Sequence, residues 1–165
     1  MKHSHPSEST PTIRPAQVAD APEISTLILA SVDYFHTEHY PAEAIDSWRK
    51  GYAPHLVEQQ VQKGGSWVLA VSDELAGIIQ FEVPEIKGFY IHPRFSGQGF
   101  GSLLLQHMLT QVVAQGHSRV ELTSNPQAAP FYLKYGFQHV GQEVVPWEGY
   151  DFLEYRMVLE PIVLN

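Results

Sequence analysis

The chain has 165 residues, 44% of them hydrophobic, and no cysteine; this is enough for one globular domain with a real core, and it excludes disulfides, thiolate catalysis and cysteine-based zinc sites. A formal net charge of −8 argues against a nucleic-acid backbone as partner and is compatible with a cationic ligand. No apolar run approaches the roughly 20 residues that cross a bilayer, and the N-terminus lacks an apolar signal core, so a cytoplasmic location is expected.

Residues 1–11 are polar and read as a disordered tail, with His3 and His5 solvated. The domain is expected over 12–160, with a short tail over 161–165. Thr12 to Arg14 reads as a strand. Asp20 then caps a helix in which Ile24, Leu27 and Ile28 recur at helical spacing. Pro41 opens a second helix carrying Ala44, Ile45 and Trp48, and Pro54 a third that Gly64-Gly65 ends. Trp67–Val71, Leu75–Val83 and Ile86–His92 follow as strands. A long helix is expected from Gly99 to Gln115, with Leu103, Leu104, Met108, Leu109, Val112 and Val113 inward. Arg119–Thr123 is a strand, and Pro126–Tyr135 a short helix closed by Gly136. Phe137–Val145 and Tyr150–Leu159 are the last strands, joined through Pro146-Trp147-Glu148-Gly149. Strands interspersed with helices indicate an α/β domain.

The most informative run is His92-Pro93-Arg94-Phe95-Ser96-Gly97-Gln98-Gly99-Phe100-Gly101-Ser102. An apolar strand precedes it and a helix follows. A glycine loop opening a helix presents unpaired amides and a positive dipole end, which cradle an anion such as a pyrophosphate. A P-loop needs Lys-Ser/Thr after its last glycine, whereas Gly101 is followed by Ser102-Leu103. The dinucleotide fingerprint needs G-x-G-x-x-G, which Gly97-x-Gly99-x-Gly101 does not fit.

The segment resembles the acyl-CoA-binding motif of the GCN5-related N-acetyltransferase (GNAT) superfamily, Arg/Gln-x-x-Gly-x-Gly/Ala after a strand ending in His-Pro. Gly99 and Gly101 occupy the glycine positions, and Ser96 stands where the family has Arg or Gln. Asn125-Pro126-Gln127-Ala128-Ala129-Pro130-Phe131-Tyr132, with Gly136-Phe137 after it, resembles a second segment of the same family. The resemblance covers Thr12 to Glu160. Details such as Ala128-x-Pro130-Phe131 and the closing Phe152-x-x-Tyr155-Arg156-Met157 resemble a bacterial small-molecule branch, the YafP-like acetyltransferases.

The resemblance implies a mixed, mostly antiparallel β-sheet flanked by helices and splayed after the strand that leads into the glycine loop. It implies acetyl-CoA as co-substrate, no metal, and transfer of an acetyl group to the amine of a small molecule. Backbone groups of Phe89, Tyr90 and Ile91 would hold the pantetheine arm. Ser96, Gly97, Gln98, Gly99, Phe100, Gly101 and Ser102 would hold the pyrophosphate. Asn125, also a helix cap by its Asn-Pro sequence, would contact the arm. Tyr132 would contact it too and donate a proton to the departing thiolate.

For the base that frees the amine, Glu82 near a strand end is the first candidate, with Glu85, His92 or a water chain as competitors. Tyr34, Phe35, Tyr40, Trp48, Trp147 and Tyr150 form either core or an amine pocket. His36 and His39, three apart, read as surface histidines rather than a metal site. Dimers are common in such folds. The alternatives are a non-catalytic acyl-CoA-binding or sensor domain on the same scaffold, toward which Ser96 leans, and an enzyme for longer acyl chains.

Overall fold

The computed structural model describes residues 10–164, so most of the expected N-terminal tail lies outside the described residues. In chain order the elements are β1 (Thr12–Pro15), α1 (Ala21–His36), α2 (Ala42–Lys50), α3 (Pro54–Gln62), β2 (Ser66–Val71), β3 (Glu74–Glu82), β4 (Glu85–Ile91), α4 (Phe100–Ala114), β5 (Val120–Ser124), α5 (Ala129–Lys134), β6 (Gln138–Trp147) and β7 (Tyr150–Leu159). They build one seven-stranded sheet in the order β1-β2-β3-β4-β5-β7-β6. Every neighbouring pair is antiparallel except β4 and β5. No helix among the described residues is long and apolar enough to cross a membrane.

Successive strand residues face opposite sides, so each strand feeds two cores. Leu69, Ile79 and Met157 pack with Leu104, Leu105, Met108 and Val112 of α4. Val68, Ile78 and Phe152 pack on the other face with Ile24, Leu27 and Val32 of α1, Trp48 of α2 and Val61 of α3. The β6–β7 hairpin closes tightly, with φ of 45° at Glu148 and 86° at Gly149; this two-residue turn lengthens β6 to Trp147, beyond the expected Val145. After β7 the chain does not trail away at once, because the Ile162 amide donates to Ser118 O at 3.1 Å and its side chain packs on the core.

One local expectation holds in position only, and two need correction. Asp20 stands at the N-cap position of α1, as expected, but its side chain makes no capping bond there; its carboxylate turns back to accept from the Gln17 amide at 2.7 Å and from Arg14 at 2.7 and 2.9 Å, stapling β1 to the short 3-10 turn. In α4, Leu103 and Val113 point outward, 47% and 36% exposed, and Leu105 is buried instead. Three consecutive leucines leave the inward face open to more than one assignment. Asn125-Pro126 also does not start α5. The Asn125 side chain accepts from the Ala128 amide at 2.9 Å in a separate turn, and the helix begins at Ala129.

Two features of β4 make the site. Opposite Gln80 and Phe81 stand Gly88 and Ile86, so Lys87 is an extra, bulged residue. On its other edge β4 pairs with β5 only at Glu85–Glu121 and Ile86–Leu122. From Lys87 onward the two strands diverge, and the sheet opens.

Candidate active site

The opening is a cleft of about 700 Å³ that passes through the sheet between β4 and β5. This lies within the range of small-ligand sites. One wall is Gly88 to Ile91 of β4; the other is Leu122 to Asn125, with Phe131 and Tyr132 of α5. Side-chain alternation on β4 divides the cleft. Phe89 and Ile91 face the α4–α5 side, and Tyr90 faces α1–α3.

At the α4–α5 side lies the glycine loop. Gly97 and Gly99 have φ of 76° and 82°, and a Cβ built at either meets nothing within 4 Å. These two glycines therefore serve backbone conformation rather than space. Gly101 has no such φ; it lies in the first turn of α4, lines the cleft, and would place a Cβ 3.6 Å from the Phe131 ring. Among the described residues, the amides from Gly97 to Ser102 have no backbone acceptor outside the helix itself. That is the orphan-donor set of a helix start, with the dipole's positive end behind it. Ser96 and Gln98 are exposed, and the Phe100 side chain is buried in the core, so only its backbone is available to a ligand.

Tyr132 is buried, its ring 6.3 Å from Phe89 and 5.6 Å from Phe137. Among the described residues its hydroxyl has no hydrogen-bond partner, and it lines the cleft. Burial, and then the charge of Glu154, push its pKa well above that of a free phenol. It stays protonated at every physiological pH. Asn125 also lines the cleft; its carbonyl oxygen is engaged by Ala128, and its amide nitrogen remains for a ligand.

On the α1–α3 side the walls are aromatic. His36 stacks on Trp48 with centroids 4.4 Å apart. Trp48 Nε1 donates to the Tyr90 hydroxyl at 3.0 Å, which donates on to the Tyr52 hydroxyl at 3.2 Å. Trp147 lies 5.4 Å from Tyr52, and Phe152 lies 5.7 Å from Trp48. His36 is buried rather than superficial, with Nδ1 unpaired, and burial lowers its pKa to about 4, so it is neutral at pH 7. Phe35, Trp48 and Trp147 line the cleft, and Trp48 also belongs to the buried core. Tyr34 is 69% exposed and outside it. Tyr40 and Tyr150 support the wall from behind, against Phe152.

Gly51 packs directly under Trp147, where an added methyl would fall inside the indole ring. Gly51→Ala is expected to destabilise the fold by about 1–3 kcal/mol through overpacking, although Ala suits the local backbone better. Thermal unfolding followed by tryptophan fluorescence measures this, and an unchanged Tm contradicts it.

The structure does not bring Glu82 to the cleft. It is exposed at the far end of β3, opposite Glu85 across the hairpin, and does not line the site. Glu85 lines the cleft but is held by Lys87 at 2.9 Å. His92 accepts from the Arg94 amide at 3.1 Å and caps a short turn.

The carboxylate that lines the cleft without a partner is Glu154, which sequence reasoning missed. It lies two residues beyond the buried Phe152 on β7, hence on the same face. A carboxylate continuing an apolar stripe was the available signal. Burial and then the charge of Glu143, its cross-strand partner, raise its pKa from 4.5 to about 7. Proton binding at Glu154 thus stabilises the fold fully below pH 4.5, and this contribution is lost as pH rises through 7. Glu154→Gln should therefore match the parent near pH 4 and exceed its stability above pH 8, by up to about 3 kcal/mol. Denaturant titration at the two pH values tests this; equal curves at high pH contradict it.

The Acetyltransferase (GNAT) domain family model matches residues 36–159. The chain is 24% identical over 149 residues to the uncharacterized N-acetyltransferase YafP of Escherichia coli K12, covering 90% of this chain and 95% of that one. Its structure is similar to that of a GCN5-related N-acetyltransferase from Rhodopseudomonas palustris, with a TM-score of 0.86 at 20% identity, covering 95% and 99% of the two chains. It is also similar to PaiA N-acetyltransferase from Thermoplasma acidophilum in complex with coenzyme A, with a TM-score of 0.75 at 18% identity and coverage of 92% and 99%.

Proposed function

Because this chain belongs to the GNAT family of acetyltransferases, we propose that it transfers an acetyl group from acetyl-CoA to the primary amine of a small molecule, in the cytoplasm and by direct attack in a ternary complex. The observation that carries this reading is the β4–β5 ladder, which stops after two residue pairs beside a helix start with free amides. The break gives an elongated donor a path through the sheet, and the loop gives its pyrophosphate an anchor.

The fit is specific to regions of the donor. Amides of Gly97 to Ser102 suit the pyrophosphate. Backbone groups of Phe89, Tyr90 and Ile91, on the edge that β5 leaves uncovered, suit the amides of the pantetheine arm, and Asn125 offers its amide nitrogen. The exposed hydroxyl of Ser96 replaces a long cationic or amide side chain, so anion binding there falls to backbone groups. Bound in this way, acetyl-CoA supplies the activated acyl group. With no cysteine in the chain, a cysteinyl acyl-enzyme has no nucleophile.

Tyr132 has the remaining task of meeting charge on the leaving sulfur. A phenol held above its ordinary pKa is a weaker acid than the thiol it would form, so complete transfer ahead of bond cleavage is uphill. It acts instead as a hydrogen-bond donor whose proton moves as charge develops. Holding amine and thioester together contributes as much as any side chain, about 7–11 kcal/mol of the barrier when well oriented.

Thiol release from acetyl-CoA across a panel of primary amines tests the reading, and the protein contributes no background thiol. Amine-dependent release is the expected result. Acetyl-CoA binding without release for any amine or lysine peptide favours a binding module instead.

A further inference from the structure

The charged side chains lining the cleft are Glu85, Lys87 and Glu154. Glu85 and Lys87 pair with each other at 2.9 Å. The Glu154 carboxylate has neither an ion pair nor a hydrogen bond to any described residue. It lines the same cleft as Tyr132 of α5 and as Tyr52 and Tyr90 of the aromatic wall. A half-buried carboxylate without a partner is costly, and an ammonium brought by a ligand removes that cost. The surrounding aromatic faces of Trp48, Tyr52, Trp147 and Phe152 match a flat apolar body and a cation alike.

Among the described residues, no arginine or unpaired lysine lines this end. An α-amino acid would therefore place its own carboxylate near Glu154 with no guanidinium or unpaired ammonium to offset the repulsion. Neutral His36 neither repels an ammonium nor attracts a carboxylate.

Building on the acetyltransferase reading, we propose that Glu154 receives the ammonium of the acceptor and takes its proton, and that the acceptor is a small monocationic amine with a flat apolar body and no carboxylate. The acceptor R–NH3+ gives one proton to the Glu154 carboxylate. The freed nitrogen lone pair forms the C–N bond to the thioester carbonyl carbon, and the C–S bond breaks. The nitrogen's second proton leaves as the Tyr132 hydroxyl protonates the sulfur, and it restores that hydroxyl. Glu154 then releases its proton to solvent, so ammonium and acetyl-CoA become amide, thiol and one proton. Protonation of Glu154 in the first step also removes a charge that holds the Tyr132 pKa up, which makes Tyr132 the better donor when the sulfur needs it.

The test uses 2-phenylethylamine, phenylalanine and a lysine-containing peptide, with the full chain and its Glu154→Gln variant. Amine binding is measured by calorimetry without acyl donor, so it is decided independently of the acetyltransferase reading. Acetyl-CoA binding to both proteins checks that the variant is folded. The expected result is that 2-phenylethylamine binds the parent at least about tenfold more tightly than the variant, and phenylalanine at least about tenfold more weakly than 2-phenylethylamine, each step worth about 1.4 kcal/mol. In turnover, the rise of kcat/KM through neutral pH in the parent should vanish in the variant. Equal binding of 2-phenylethylamine to both proteins overturns the proposal, as does preference for phenylalanine or the peptide. If thiol release with those other acceptors is brisk, the acetyltransferase reading survives that failure; if acetyl-CoA neither binds nor turns over, that reading fails on its own.

Discussion

Tyr132→Phe lowers kcat by about 10²-fold or more and leaves acetyl-CoA affinity nearly unchanged. The ring is buried between Phe89 and Phe137, so Phe preserves the packing and removes only the hydroxyl. That hydroxyl has no partner among the described residues, and its loss orphans nothing in the resting protein. A purely structural Tyr132 would leave kcat alone. The effect belongs in kcat because charge on the sulfur arises only in the transition state. Steady-state kinetics beside a binding titration separates the two quantities, and unchanged turnover removes Tyr132 from the mechanism.

Leu104→Ala destabilises the fold by about 2–5 kcal/mol, which lowers Tm by roughly 10 °C in a chain of this size. Leu104 is fully buried in the first turns of α4, and a Cβ at Gly77 would come within 3.2 Å of its Cδ2. This residue seats the start of α4 on β3, and the same helix start carries the free amides of the glycine loop. Coenzyme affinity should fall along with stability. By contrast, Leu103→Ala, one residue away on the exposed face, should change Tm by no more than a degree or two. Calorimetric unfolding of both variants settles the comparison, and a similar loss in each contradicts the assigned helix face.

Much of the fold was legible because its signals are local. Pro54 opens α3, Gly64-Gly65 ends it with both glycines at φ near 80°, and the glycine loop announces α4. Spacing fails where apolar residues run together, as at Leu103-Leu104-Leu105, because every face of the helix then looks like a core face. Asn125-Pro126 misled for another reason. An Asx turn and a helix cap use the same side-chain oxygen, and only the following backbone distinguishes them.

The site divides in the same way. The glycine loop and Tyr132 lie within contiguous motifs. The proposed base, Glu154, lies in no motif. Glu82 ends β3 and Glu154 lies in the middle of β7, and nothing nearby in sequence tells which one meets the cleft. That depends on β7 pairing with β5 and on the register of the β6–β7 hairpin, which is shifted by an extra residue at Val140. His36 likewise looks like a surface residue until α2 brings Trp48 across its ring.

Thermal unfolding with and without acetyl-CoA tests the central claim most directly, that the glycine loop and the β4–β5 opening form an acyl-CoA site. Ligand at 100 times its dissociation constant should stabilise the fold by about 2.7 kcal/mol, a rise in Tm of roughly 5–10 °C. No shift at millimolar acetyl-CoA would contradict it, and would mean that backbone amides without the side chain replaced by Ser96 do not hold the donor.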